Sequence, residues 1–329
     1  MKKNIVVTKT PLRLSFFGGG TDINTFYKKN PGEVFSTTIN KYIYVTVKEH
    51  GKIFDEKYRL NYSISERKKK INDITNNIIR ETIRYLKIDR PLYISSVGDL
   101  PIQSGLGSSS SFTVGLIKAL HELESKKISK KKLAELACKI EIRILKNPVG
   151  RQDQDVASYG GINHITFLKN SKVDVKYKKK YVKFIKKLFE NSLLLYTGIT
   201  RNASDILAIQ KKQKNVPEKL MKIKKICSNF LKIENKKLSL NIFQKYLDES
   251  WKIKKDLTNK TSNHKIDKIY RLSKLNGAKS LKLLGAGGGG FFFVIINKKN
   301  KKKFKKKMSK FTLYDLAYES DGSKIILSN

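Results

Sequence analysis

The sequence has 329 residues, of which 39% are hydrophobic, and its formal net charge is +42 at pH 7. This length predicts about two domains, and the apolar content is sufficient for globular cores. No apolar run approaches the ~18 residues that a membrane-spanning helix needs, and the N-terminus has no apolar region or cleavage site of a signal peptide. We therefore expect a cytoplasmic protein with no membrane partner.

Lysine is spread over the whole chain rather than concentrated in one segment. A strongly basic protein can bind nucleic acid or an anionic membrane surface. Nucleic-acid-binding proteins usually concentrate their charge on one face, however, so we interpret this charge as a solvated surface and expect no specific nucleic-acid partner.

The first hundred residues are predicted to contain three strands and one helix. Residues 4–17 and 39–48 have the pattern of strands, and the first of them ends at a glycine-rich loop at residues 18–22. Asp73 is placed to cap a helix that Pro91 stops. A strand over residues 92–97 follows.

The next segment, residues 101–111, joins that strand to a helix whose apolar residues begin at Phe112. Gly105 and Gly107 allow the backbone to approach a ligand closely, because they carry no Cβ atom. The first N–H groups of a helix lack internal partners and attract anions, phosphate above all. The pattern predicts a phosphate-binding loop; the simpler alternative is a serine cap after a tight turn.

A third helix is predicted from its cap at Ser129 to a stop at Pro148, and it carries Glu141 beside its apolar stripe. An acidic segment at residues 149–155 follows, and then a strand at residues 162–168. The lysine-rich stretch at residues 172–180 is the candidate boundary. We therefore predict domains at residues 1–178 and 179–329.

The second domain is predicted to hold strands at residues 192–196 and 291–296 and helices at 216–233, 239–257 and 263–275. Residues 285–290 satisfy the pattern G-x-G-x-x-G. In a dinucleotide-binding fold this pattern opens a helix, whereas a buried strand follows it here. The segment is therefore predicted to be a hairpin that approaches a ligand or another part of the backbone.

Three glycine-rich stretches, at residues 11–22, 101–111 and 284–293, resemble in order and content the three motifs of the GHMP family of small-molecule kinases. The resemblance spans nearly the whole chain. Within the family, the segments G-G-G-T-D, G-x-x-D-Q and G-A-G-G-G-G-F-F most resemble those of D-glycero-D-manno-heptose 7-phosphate kinases.

The resemblance implies an α+β fold with two domains, the first similar to ribosomal protein S5 domain 2 and the second ferredoxin-like, with the active site between them. It implies an ATP-dependent sugar kinase that phosphorylates the anomeric oxygen of D-glycero-D-manno-heptose 7-phosphate. The 1,7-bisphosphate product would serve the synthesis of nucleotide-activated heptose and surface polysaccharide. The implied small molecules are ATP, Mg²⁺ and a sugar phosphate; the oligomeric state stays open.

The resemblance also implies a role for each matching residue. Ser109 and Glu141 would bind Mg²⁺, for which hard oxygen ligands are suitable; the alternative for Glu141 is a surface carboxylate. The ATP phosphates would be held by Gly105, Leu106, Gly107, Ser108, Ser109, Ser110 and Ser111.

Asp153 would be the base that accepts the proton of the attacking hydroxyl, with Asp155 as a competitor two residues later. Arg13 would orient that base and stabilise negative charge; its alternative is a strand arginine facing solvent. Asp22 matches an aspartate that binds sugar hydroxyls in galactokinases.

Gly19 and Gly20 stand where galactokinases have a glutamate and a histidine, which argues against galactose and for a larger acceptor. A phosphate on that acceptor would require arginine side chains, for which Arg151 and Arg201 are candidates. Gly287 and Gly288 are expected to contact the substrate.

Two alternatives remain open at this point. The acceptor could be another sugar, such as galactose or fucose, or a mevalonate-type alcohol. In a different class, the chain could be a nucleic-acid-binding protein on a degenerate kinase fold, which predicts steeply salt-dependent binding.

Overall fold

The computed structural model describes residues 3–51, 53–200, 203–213 and 215–329. The elements of its first half are β1 Ile5–Phe17, α1 Asn24–Tyr27, β2 Gly32–Glu49, β3 Tyr58–Asn61, β4 Ser65–Lys68, α2 Asn77–Leu86, β5 Leu92–Gly98, α3 Ser108–Leu123, α4 Lys130–Cys138, α5 Gln152–Tyr159, β6 Ile162–Phe167 and β7 Val173–Tyr177. Those of its second half are α6 Val182–Glu190, β8 Ser192–Tyr196, α7 Ala203–Lys212, α8 Val216–Leu231, α9 Leu240–Lys255, α10 His264–Leu275, β9 Ser280–Leu283, β10 Phe291–Ile295, α11 Lys301–Lys307, β11 Leu313–Asp315 and β12 Lys324–Ser328.

The first sheet is organised around the long strand β2. Its strand order is β12-β1-β2-β5-β3-β4, and β6 pairs with the other end of β2 and carries β7 beside it. Helix α3 packs across β1 and β2. The loop before α3 therefore opens at the end of β5, beside the middle of β1.

The second sheet has four antiparallel strands in the order β11-β8-β10-β9. In terms of their sequence order this is 4-1-3-2, which is the arrangement of a ferredoxin-like sheet. All five residues of β10 are buried, as expected for a central strand whose residues are all apolar. The predicted α+β fold, with one sheet in each of two domains, is confirmed.

An aromatic cluster joins the two sheets. Phe16 on β1 packs edge-on against Phe243 of α9 at 5.1 Å between ring centroids and against Phe293 of β10 at 5.5 Å. Phe17 lies 4.7 Å from Phe230 of α8. Because one hydrophobic core continues across both sheets, the strand that carries Arg13 is fixed against the second domain.

The chain passes from the first sheet to the second between β7 and β8, where the predicted boundary at residues 178 and 179 lies. The predicted division is wrong for the C-terminal strand. Strand β12 falls within the predicted second domain, but it pairs with β1 in the first sheet. Without it, the edge of β1 would expose unpaired backbone groups.

Two helix details also differ from the prediction. Asn76, not Asp73, caps α2, and its side chain accepts a hydrogen bond from the backbone of Ile79. Asp73 instead lies in a short 3-10 turn. Ser129 caps α4 as predicted, but the helix continues as a π-helical turn at Lys139–Ile144, which carries Glu141.

Within the described ranges, no helix is long and apolar enough to cross a membrane.

Candidate active site

The loop between β5 and α3 is held in place by the third glycine-rich segment. Gly105 has φ +84°, and a Cβ atom there would lie 2.7 Å from the carbonyl oxygen of Leu284, so only glycine allows this contact. Gly107 is the N-cap of α3. The second and third glycine-rich segments, at residues 101–111 and 284–293, therefore meet directly.

A cavity of about 920 Å³ lies between the two sheets at this loop. Five of the seven residues predicted to hold ATP phosphates line it, namely Gly105, Gly107, Ser108, Ser109 and Ser110. The other two face β1 instead. The Leu106 carbonyl accepts a hydrogen bond from the backbone of Arg13 at 3.0 Å, and the Ser111 hydroxyl donates to Pro11 at 2.9 Å.

Arg13 and Asp153 form a two-pronged ion pair in this cavity. Arg13 Nε lies 2.8 Å from Asp153 Oδ1, and Nη2 lies 2.7 Å from Oδ2. Arg13 Nη1 donates to the carbonyl of Gly105 at 2.6 Å. Arg13 is 5% exposed, so it is not a strand arginine facing solvent. Such a fork fixes the orientation of the carboxylate as well as its charge.

Glu141 is buried beside the first turn of α3. Its carboxylate accepts hydrogen bonds from Ser109 at 2.9 Å, from Ser110 at 2.8 Å and from Gln154. Glu141 is 1% exposed, so the alternative of a surface carboxylate is wrong. Burial raises the pKa of Glu141, and the three hydrogen bonds oppose that rise.

Asp22 ties the first glycine-rich loop to the start of α5. Its carboxylate accepts hydrogen bonds from the backbone N–H of Gly20 at 2.9 Å and of Gln152 at 3.2 Å. Burial raises the pKa of Asp22, and the negative charge of Asp153 raises it further. Asp22, Gly19 and Gly20 all line the cavity, on the same side as Asp153.

Several predicted residues do not face the cavity. Arg151 turns away and donates to the carbonyl of Ser171 at 2.8 Å. Asp155 is also buried outside the cavity lining. Gly287 and Gly288 pack against Thr261, with Gly288 donating to its carbonyl at 2.9 Å. Arg201 lies outside the described residues.

Two lysines that the sequence analysis did not select line the cavity from the second domain. Lys282 on β9 donates to the carbonyl of Phe16 and to the Ser250 hydroxyl, the latter at 3.0 Å. Burial lowers the pKa of Lys282 to about 7. Lys254 on α9 donates to the carbonyls of Leu283 at 2.8 Å and Gly285 at 2.5 Å.

Comparison with known proteins agrees with this geometry. Residues 75–161 match the family described as GHMP kinases N terminal domain, and residues 232–313 match GHMP kinases C terminal.

One curated relative is the D-glycero-alpha-D-manno-heptose 7-phosphate kinase of Campylobacter jejuni. It is 33% identical over 85% of this chain and 86% of its own length. A galactokinase of Pyrococcus furiosus is 26% identical over 60% of this chain and 54% of its own length.

Among solved structures, a D-glycero-D-manno-heptose 1-phosphate kinase from Bacteroides thetaiotaomicron superposes with a TM-score of 0.78. Its sequence is 24% identical, and the alignment covers 98% of this chain and 99% of that one. This likeness shows a common fold over the whole length. The family matches and the heptose 7-phosphate kinase relative together show that the chain belongs to the GHMP kinase family.

Proposed function

We propose that this kinase transfers the γ-phosphoryl group of ATP to the anomeric oxygen of D-glycero-D-manno-heptose 7-phosphate. The reaction is supported by the Arg13–Asp153 pair, which lies in the cavity beside the phosphate loop. The identity of the acceptor is supported by the Campylobacter jejuni heptose 7-phosphate kinase, which is 33% identical over 85% of the chain. The 1,7-bisphosphate formed would supply nucleotide-activated heptose for surface polysaccharide.

ATP fits the cavity with its phosphates at the N-terminus of α3. The N–H groups of the first turn have no partner within the helix and bind phosphate oxygens, and Ser108 and Ser109 bring hydroxyl groups to the same place. Val97 and Ile102 also line the cavity and are 67% and 55% exposed, so the aromatic base of ATP would cover apolar surface there.

In the transfer step, the hydroxyl at the anomeric carbon gives its proton to Asp153 as its oxygen forms a bond to the γ-phosphorus. The bond between that phosphorus and the bridging oxygen breaks, and ADP leaves with the electron pair. Phosphoryl transfer depends mainly on positioning and charge neutralisation. Arg13 holds the carboxylate by both oxygens and stays cationic when Asp153 accepts the proton.

Ser109 and Glu141 would hold the Mg²⁺ that accompanies ATP. Their oxygens lie 2.9 Å apart at the start of α3, and hard oxygen ligands suit this ion, which takes its remaining ligands from phosphate and water. Burial raises the pKa of Glu141, so a cation beside the carboxylate would offset the cost of its charge. When bound, the ion would neutralise charge on the phosphates.

The acceptor sugar would lie between Asp153 and the loop of Gly19 and Gly20. These glycines line the cavity without side chains, which leaves room for a seven-carbon sugar. Asp22 also lines this part of the cavity and would accept hydrogen bonds from the sugar hydroxyls.

A panel of acceptors tests this proposal. The purified protein is supplied with Mg²⁺, ATP and, in separate reactions, the heptose 7-phosphate, galactose, fucose, mannose or mevalonate. We expect ADP release with the heptose 7-phosphate at a kcat/KM at least 100-fold above the others, and a new phosphate on the anomeric carbon by ³¹P NMR. Preferred turnover of another acceptor would contradict the substrate assignment while keeping the kinase.

A further inference from the structure

Three cationic side chains occur among the described residues that line the cavity: Arg13, Lys254 and Lys282. Arg13 is engaged with both oxygens of Asp153 and with the carbonyl of Gly105. Arg151, which the sequence suggested for an acceptor phosphate, turns away to Ser171. Lys254 and Lys282, both from the second domain, are the other two described cations that line the cavity.

Lys282 is buried without a carboxylate partner among the described residues. It is 4% exposed, and the residues beside it in β9 are Leu281 and Leu283. Its ammonium group donates only to neutral oxygens, those of Phe16 and Ser250. Burying an ammonium group that no opposite charge compensates is costly. An anion in the adjoining cavity would supply the missing charge.

Lys254 reaches the same edge of the second sheet from α9. Its ammonium group donates to the carbonyls of Leu283 and Gly285, which follow Lys282 along the chain by one and three residues. These contacts hold the amine over the end of β9 rather than in solvent. The two lysines thus line the cavity together, on the side of the second domain.

Two polar atoms without partners among the described residues lie beside Gly19 in the same cavity. Oε1 of Gln152 and Oγ of Ser15 are buried and have no hydrogen-bond partner in the described chain, and both residues line the cavity. Gln152 is 9% exposed as a whole residue. A Cβ atom on Gly19 would lie 3.2 Å from Ser15 Oγ and 3.7 Å from Gln152 Nε2, so the three residues are neighbours. Buried polar groups of this kind normally have a partner, so they indicate a polar ligand.

We propose that Lys282 and Lys254 bind the phosphate group that the acceptor sugar already carries. This inference rests on the proposed function, since it assigns the part of the same cavity that selects a phosphosugar. Phe16, the partner of Lys282, lies three residues along β1 from Arg13, which is about 10 Å at strand spacing. A sugar that carries its reactive oxygen and its phosphate at opposite ends fits between the two positions.

The same lysines could instead meet the phosphates of ATP, because Gly285 lies near the phosphate loop. Both ligands present a phosphate, so the experiment must separate them. Lys282→Met and Lys254→Met keep the length of the apolar part of the side chain and remove the charge. Lys252→Met, at an exposed position on α9 that does not line the cavity, is the matched control.

The readout is kcat/KM for D-glycero-D-manno-heptose 7-phosphate and for the same heptose without phosphate, together with the KM for ATP. For each cavity variant, we expect the ratio of kcat/KM for the phosphorylated heptose to kcat/KM for the unphosphorylated heptose to fall by about 10- to 100-fold. A loss of this size corresponds to the loss of a hydrogen bond to a charged group. The value for the unphosphorylated heptose and the KM for ATP should stay within about threefold of the wild type, and the control should change neither.

The other outcomes overturn either this inference alone or the proposed function with it. An equal loss with both acceptors would mean that the lysines only support the fold, and a raised KM for ATP with an unchanged acceptor ratio would assign them to the nucleotide. Either result overturns the inference and leaves the proposed function standing. If the wild-type protein phosphorylates no phosphosugar but does phosphorylate another acceptor, both proposals fail together.

Discussion

Arg13 and Asp153 contact each other through two parallel hydrogen bonds of 2.8 and 2.7 Å, although 140 residues separate them in the sequence. The third guanidinium nitrogen of Arg13 binds the carbonyl of Gly105, in the loop between β5 and α3, at 2.6 Å. One side chain therefore fixes both the Asp153 carboxylate, which we propose as the base, and the loop between β5 and α3.

Replacing Arg13 with lysine tests this double role. Arg13→Lys keeps the positive charge but loses the planar fork, so Asp153 is no longer held by both oxygens. We expect kcat for the heptose 7-phosphate to fall about 10- to 100-fold, because misplacing a reacting group by about 1 Å has an effect of that size. Steady-state kinetics with both substrates measure it. An unchanged kcat would show that the fork has no part in transfer.

Gly290→Ala should weaken ATP binding although Gly290 does not line the cavity. Its φ is +91°, and a Cβ atom there would lie 2.1 Å from the carbonyl oxygen of Ser104, the residue before Gly105 in the loop between β5 and α3. The loop must then shift, and we expect the KM for ATP to rise about tenfold or more, with a loss of stability of about 2 kcal/mol or more.

Gly277→Ala is the control for that experiment. Gly277 has φ +102°, but no atom lies within 4 Å of a Cβ atom built there. It should lose about 1–2 kcal/mol of stability from backbone strain and keep the KM for ATP. If both variants raise that KM equally, contact with Ser104 is not the cause.

Glu141→Gln tests the proposed magnesium ligand. Glutamine has nearly the same size but no charge, so the site formed with Ser109 should bind Mg²⁺ more weakly. We expect the free Mg²⁺ concentration at half-maximal rate to rise at least tenfold, with part of the lost rate restored at high Mg²⁺. A loss that no Mg²⁺ concentration relieves would indicate damage to the hydrogen bonds with Ser110 and Gln154 instead.

Asp155 makes the stability of the protein depend on pH. Burial raises the pKa of Asp155 from 3.8 to about 7; Arg151 opposes this rise, while Asp22 and Glu135 add to it. Because the folded state holds the proton more tightly than the unfolded state, this contribution to stability is present at low pH and is lost as the pH rises through about 7.

Asp155→Asn should therefore gain stability relative to the wild type as the pH rises. The gain between pH 5 and pH 8 is expected to be about 2–3 kcal/mol. Urea unfolding at both pH values measures it. Asp55→Asn, at a side chain that is 95% exposed, is the control. A difference between variant and wild type that does not change with pH would contradict the protonated, buried state of Asp155.

Local patterns were sufficient to predict most elements and the turn between β5 and α3. Ser129 caps its helix, α3 begins in the serine run, and the glycines at residues 285–290 form a hairpin. These features depend on short-range rules of capping and turn geometry. The pairing of β12 with β1 was not predictable in the same way, because it joins strands more than 300 residues apart along the sequence.

The lysines that line the cavity were harder to identify, because the chain contains so many lysines. Lys282 is one of 70 lysines and arginines, and only its place among the apolar residues of β9 marks it as buried. Arg151 follows a motif glycine directly, yet its side chain points to Ser171. The distance of a residue from a motif along the sequence does not determine where its side chain points. A charged residue within a buried strand, by contrast, indicates that a group of opposite charge or a polar group compensates it.

The most direct test of the account is the turnover of D-glycero-D-manno-heptose 7-phosphate by Asp153→Asn. Asparagine keeps the size of the side chain but cannot accept the proton, so we expect kcat to fall about 10²- to 10⁴-fold, with the KM for ATP within about twofold and the fold intact by circular dichroism. Retention of more than a tenth of the wild-type kcat would contradict the role of Asp153 as the base, and with it the mechanism proposed for this cavity.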